Sequence, residues 1–194
     1  MRLLSRAALT GMIAVTISVS VSAASLTGLV KNAQGKPLSD VAVWVELSGG
    51  KTVKDKPALM DQTRGKFLPH VLVITAGTMV DFPNNDGMYH NVFSYFNGKR
   101  FDLGLYPPGN SKRITFTKLG VHELFCNIHA KMHAYIVVVE TPYHDVTSKD
   151  GKFRIDDLPA GEYKVAFWRA GKKKVHNITV SDDGKTSEPV VTFK

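Results

Sequence analysis

Apolar residues in this chain come in short runs of strand length, several of them alternating with polar residues at a period of two. Residues 41 to 47 read Val-Ala-Val-Trp-Val-Glu-Leu. Residues 162 to 168 place Tyr163, Val165 and Phe167 on one face and Lys164, Ala166 and Trp168 on the other. Further strands are predicted over 25–30, 67–75, 78–82, 90–96, 101–106, 113–117, 121–127, 134–140, 152–155, 175–180 and 189–193. Turn signals separate them: Asn32-Ala-Gln-Gly35, Gly49-Gly50, Ala76-Gly77, Pro83-Asn-Asn-Asp86, Ser148-Lys-Asp-Gly151 and Leu158-Pro-Ala-Gly161. Asn97-Gly98 is a two-residue hairpin signal, and residues 51–56 form a charged connector. Convincing helical periodicity is missing beyond the first 24 residues, and there is no internal repeat. The pattern predicts an all-β protein built as a sandwich or barrel.

Residues 1–24 read differently. Arg2 and Arg6 precede an uncharged apolar stretch from Ala7 to Val21, and small residues at 21–24 offer cleavage sites. This is the pattern of a secretory signal peptide, so an exported, periplasmic or similar location is expected, with no stable membrane insertion after cleavage. The net charge of +8 comes from 25 basic and 17 acidic residues, so losing two arginines leaves it positive. Lys172-Lys173-Lys174 is the one tight basic run, expected in a turn-like, solvated segment. The basic residues are not interleaved with a stacking aromatic array, which argues against nucleic acid.

Charge says less than the one cysteine, Cys126. A lone cysteine in an exported chain cannot form an internal disulfide, so an intermolecular bridge or a working thiol is implied. Its surroundings suggest the work. His129 and Met132 follow it at intervals of three, and His90 opens an upstream β-like run. Thiolate and thioether suit Cu(I), and imidazole suits either oxidation state, so two His, one Cys and one Met form the donor set of a type 1 copper centre. Taken singly, each residue has a plainer role: buried small hydrophobe, satisfied polar group, gap filler. Zinc competes for Cys and two His but gains little from Met132. Along 121–126, His122, Leu124 and Cys126 share the face expected to point inward.

The stretches Phe82-Pro-Asn-Asn-Asp86, His90-Asn-Val-Phe93 and Cys126-Asn-Ile-His129-Ala-Lys-Met132 together resemble the cupredoxin family. The short ligand loop is of the amicyanin type, and less close to that of plastocyanin. The resemblance covers residues 57–140. It implies a Greek-key β-sandwich, one type 1 copper held by His90, Cys126, His129 and Met132, and Asn91 pinning the ligand loop. The stretch Gly120-Val-His-Glu-Leu-Phe-Cys126 departs from the family habit, with His122 and Leu124 in place of aromatics. On either side, residues 28–43, with Asn32-Ala-Gln-Gly35-Lys-Pro37, resemble the first hairpin of a carboxypeptidase-regulatory-like, transthyretin-type sandwich, and residues 147–165, with Ser148-Lys-Asp-Gly151 and Leu158-Pro-Ala-Gly161, resemble its later strands. Residues 25–56 and 141–194 are therefore expected to pack together, with 57–140 inserted between them and 41–47 touching 163–168.

The function these expectations describe is single-electron transfer between redox partner proteins, with copper carriage or storage as the alternative. An oxidase would need clustered His pairs such as His-x-His; none occurs, and no enzymatic activity is expected. His129, on the loop, is the expected electron port, collared by Ile128, Ala130 and Met88, with Lys131 favouring acidic partners. Met88 and His133 are read as surface or packing residues. His70, His144 and His176 are scattered, without a spacing that suggests a second metal.

Overall fold

The computed structural model describes residues 23–47, 57–95, 100–181 and 189–193, and every regular element among them is a strand. The chain enters through β1 (Ala23–Asn32) and β2 (Ala42–Val45). It continues with β3 (Ala58–Leu59), β4 (Asp61–Thr63), β5 (Lys66–Leu68), β6 (Val71–Thr75), β7 (Thr78–Pro83) and β8 (Phe93–Ser94). Next come β9 (Phe101–Asp102), β10 (Ser111–Phe116), β11 (Gly120–Phe125) and β12 (His133–Val139). It closes with β13 (His144–Val146), β14 (Lys152–Pro159), β15 (Gly161–Arg169), β16 (Lys172–Val180) and β17 (Val190–Phe193).

Strands from the two ends of the chain share one core. Sheet β14-β1-β17 and sheet β13-β2-β15-β16 enclose Leu26, Val43, Phe153, Phe167, Val180 and Phe193. β2 pairs directly with β15, Val45 opposite Val165 and Ala42 opposite Trp168, which is the contact expected between 41–47 and 163–168. Gly151 shows how close the strands come: its φ of +76° is left-handed, and a Cβ there would lie 2.4 Å from the Val30 carbonyl oxygen.

Residues 58–139 build a second core. Sheets β10-β7-β3 and β6-β12-β11-β8-β9 enclose Phe67, Phe82, Phe116, Leu124 and Ile136, together with Cys126 and Met132. Along β11 the buried residues are His122 and Leu124, as the period of two requires. Val71, Val73, Val137 and Val139 turn the other way, onto Ala42 and Trp168, and this third apolar cluster joins the two sandwiches. It also explains why alternation fails in β15: from Val165 to Trp168 both faces are buried.

Several elements differ from expectation. β1 starts at Ala23, because Ala24 is already buried opposite Leu158. The run 67–75 breaks at Pro69, which has no N–H for a ladder. The strands expected over 90–96 and 101–106 shrink to β8 and β9; beyond them single backbone bonds, such as Leu103 N–H to the Val92 carbonyl (2.9 Å), and the bond from the Asn91 amide to Asp102 Oδ1 (3.3 Å) join the two segments. The short strands β3, β4 and β13 lie outside the expected runs. Lys172-Lys173-Lys174 is in β16, not in a turn: Ala170 and Gly171, both at positive φ, make the turn alone. Lys173 pairs with Glu46 (2.6 Å) over the Trp44 ring, and Lys174 donates to the Thr192 carbonyl (2.6 Å). Most of 1–24, Gly49-Gly50, residues 51–56 and Asn97-Gly98 lie outside the described residues.

Trp168 is buried at the junction, with its ring edge-on to Tyr135 (4.9 Å between centroids). Trp168→Ala is expected to cost about 3–5 kcal/mol, read as a lower urea midpoint. Thr179→Ala, on the exposed face of β16, should stay within about 0.5 kcal/mol of the parent.

Candidate metal centre

Two backbone segments converge at one end of the second core. β11 stops at Phe125, and Cys126 follows it into the interior at 5% exposure. The chain then makes a tight loop. The Met132 N–H donates to the His129 carbonyl (2.8 Å), and the Cys126 N–H donates to the Met132 carbonyl (3.3 Å). These bonds fold His129 back toward Cys126 and leave Met132 buried in the same cluster.

His90 arrives from the other segment. It is bridged to Tyr106 by a reciprocal pair: the His90 N–H donates to Tyr106 O (3.2 Å), and the Tyr106 N–H donates to His90 O (2.9 Å). Buried Asn84 closes the intervening loop, its amide donating to the carbonyls of Met88 (2.9 Å) and Tyr106 (3.2 Å). The Tyr106 hydroxyl donates to the Phe82 carbonyl (2.9 Å) and accepts from Gln62. Burial pushes the Tyr106 pKa up to about 12, so the hydroxyl keeps its proton.

The result is a triangle of donors. His90 Nδ1 lies 3.1 Å from His129 Nδ1, and Cys126 Sγ lies 3.7 Å from His90 Nδ1 and 3.9 Å from His129 Nδ1. Bonds of about 2.0 Å to nitrogen and 2.3 Å to sulfur, at trigonal angles, would space donors by about 3.5 and 3.8 Å. The observed triangle fits one ion at its centre. Among the described residues, this is the one group of three or more His, Cys, Asp or Glu whose donor atoms all lie within 4.8 Å of one another.

The His90 tautomer is set from outside the triangle. Asp86 Oδ2 accepts from His90 Nε2 (3.0 Å), which leaves Nδ1 as a lone pair. A proton or a cation must therefore sit between that lone pair and the nitrogen of His129. The Asp86 carboxyl is itself lowered to about 2, first by the Gly65 N–H and then by His90 and the Gly87 N–H. Asn91 ties the two segments together. Its Oδ1 accepts the Asn127 N–H (2.8 Å), so the residue after His90 holds the residue after Cys126.

Asp86, Asn84 and Tyr106 escape a reading of the sequence as positioning groups, although Asp86 stands four residues before His90, within reach of it across a tight loop. His122 is fully buried, edge-on to Phe116 (5.1 Å), and its Nε2 donates to the Lys118 carbonyl (2.8 Å), filling the aromatic's place. His129 is the partly exposed donor of the triangle, and Ile128, Ala130, Lys131 and Met88 are exposed. His133 is not a fourth donor: its Nε2 faces Glu123 (3.2 Å) and its Nδ1 faces His70 Nε2 (3.5 Å). His144 lies in β13, and His176 in β16 against Phe167.

Asn91→Ala removes the acceptor of the Asn127 N–H. The metal-free protein is expected to lose about 1–3 kcal/mol, read by urea unfolding. Copper affinity should fall about 10- to 100-fold, read by competition with a chelator.

No protein-family model matches the chain, and no curated protein matches it. Among solved structures it is similar to a copper-containing nitrite reductase from Thermus scotoductus SA-01, at 29% identity over 50% of this chain, with a TM-score of 0.43. That match covers 25% of the reductase, so the chain spans a quarter of that protein's length. It is also similar to a purple cupredoxin from Nitrosopumilus maritimus, at 26% identity over 42% of this chain and 98% of that one, with a TM-score of 0.39. A reduced amicyanin variant matches at 21% identity over 49% of this chain and 98% of its own, with a TM-score of 0.40.

Proposed function

We propose that this chain is an exported type 1 copper protein of the cupredoxin kind that carries single electrons between redox partner proteins. The observation that carries the reading is the preformed, mostly buried triangle of His90, Cys126 and His129. Met132, buried in the same cluster as Cys126, would be the fourth residue to hold the copper. Copper in such a site supplies a one-electron change between +1 and +2. The residues supply the rest. Loop hydrogen bonds and Asn91 hold the donors at nearly fixed separations, which limits rearrangement between oxidation states. Asp86 holds His90 with its ring nitrogen free.

In this reading, residues 57–140 form the copper unit, inserted between residues 25–56 and 141–194 of a transthyretin-type sandwich. The port is the His129 edge. Ile128, at 51% exposure, and Met88, at 46%, with Ala130, would give a small apolar collar for brief docking. Lys131 favours an acidic partner whose on-rate falls as salt rises. Copper carriage or storage is a weaker reading, because a carrier must release its metal while His90 and Cys126 are closed from solvent.

Loading with Cu(II) should produce an intense thiolate-to-copper absorption band and a reversible one-electron potential. Cys126→Ser is expected to lose both together. Met132→Gln should keep the copper and shift the potential, measured by protein-film voltammetry. A colourless protein that binds Cu(I) tightly and hands it to an acceptor would replace the electron carrier with a copper carrier.

A further inference from the structure

His70 and His133 stand 63 residues apart in sequence, yet the fold brings their rings together. β12 runs parallel to β6, and the Tyr135 N–H donates to the His70 carbonyl (2.9 Å). His70 sits in the bend just before β6, outside the strand alternation, and its ring meets that of His133 at the start of β12. His70 Nε2 lies 3.5 Å from His133 Nδ1, with ring centroids 5.3 Å apart. Behind His133, Glu123 Oε1 lies 3.2 Å from Nε2. An ionised carboxylate only accepts, so this contact keeps the His133 proton on Nε2 and leaves Nδ1 as a lone pair facing His70. A carboxylate behind an imidazole in this way is how proteins orient a metal-ligating histidine.

The spacing and the charges agree. Two imidazole nitrogens sharing one ion at about 2.0–2.1 Å each would lie about 3 to 3.5 Å apart. Partial burial, the largest influence on His70, lowers its pKa, which favours the neutral ring that can ligate. Asp40 and Arg169, from the first sandwich, act on the same ring with opposite sign, and Glu123 adds a further negative charge. His70 is exposed and His133 half-buried, so an ion can reach the pair from solvent and keep water in its remaining positions.

We propose that His70 and His133 form a second metal site, distinct from the His90, Cys126 and His129 centre. It takes a divalent ion that favours imidazole, Cu(II) first by the Irving–Williams order. Glu123 is its positioning residue. The site uses no sulfur, so it adds no thiolate colour, and it does not depend on the electron-transfer reading.

The test is titration of the protein with Cu(II), followed by visible absorption, spin resonance and calorimetry. The parent is expected to bind two equivalents, the second with an imidazole-type spin-resonance signal and no added colour. His70→Ala should lose the second equivalent and keep the first. Glu123→Gln should keep both, with the second weakened about 10- to 100-fold and the fold unchanged by circular dichroism. Cys126→Ser should retain the colourless equivalent, which keeps failure at the thiolate centre separate from failure here. A parent that binds one equivalent overturns the proposal, as does a His70→Ala variant that still binds the second with unchanged affinity.

Discussion

The hydrogen bond from the Asn127 N–H to the Asn91 side chain joins two segments that are otherwise far apart in sequence. On one side lies the His90 loop, held by Asn84 and by the bridge to Tyr106. On the other lies the 126–132 loop, closed by its own backbone bonds. Each loop is stiff alone, and this cross-link, beside the pairing of Phe93 with Phe125, sets their separation. A shift of a few tenths of an ångström between them would change two of the three donor distances at once. The cost of ordering the donors is met during folding, before any ion arrives.

That pre-organisation depends in turn on how the surrounding strands are covered. β12 carries the 126–132 loop at one end and is buried on both faces: Ala134, Ile136 and Val138 lie in the second core, Val137 and Val139 against the other sandwich. A strand held from both sides has little freedom to twist. The first sandwich thus stiffens the donor loop through packing, without contributing a donor to it.

Much of this was legible in the sequence, and the reasons are specific. His90, Cys126, His129 and Met132 stood out because soft donors are few and three of them share one short loop. The inward face of His122, Leu124 and Cys126 followed from the strand period alone. The second face of β15 left a fainter mark: its outer positions pass from Lys164 to Ala166 to Trp168, from charged to apolar, where the other sandwich begins to cover it. The pairing of His70 with His133 left none, since it arises where the bend before β6 lies against the start of β12 and from no local spacing. Lys172-Lys173-Lys174 misled because a two-residue turn sufficed, and long basic side chains lie comfortably across neighbouring rings.

The place of β1 has a consequence for how the chain reaches this structure. Its two neighbours are β14 and β17, both from the last quarter of the sequence, with Ala24 opposite Leu158 and Val30 opposite Val191. The buried residues of the second core all lie between 58 and 139, so that core can begin to assemble while β14 and β17 are still being made. β1 has no such option. It stays without these neighbours until β14 and β17 have emerged, and closing so long a loop is slow. The earliest of the described strands is therefore among the last of them to acquire both partners. The interval before it does is when the chain is most open to pairing with the wrong molecule.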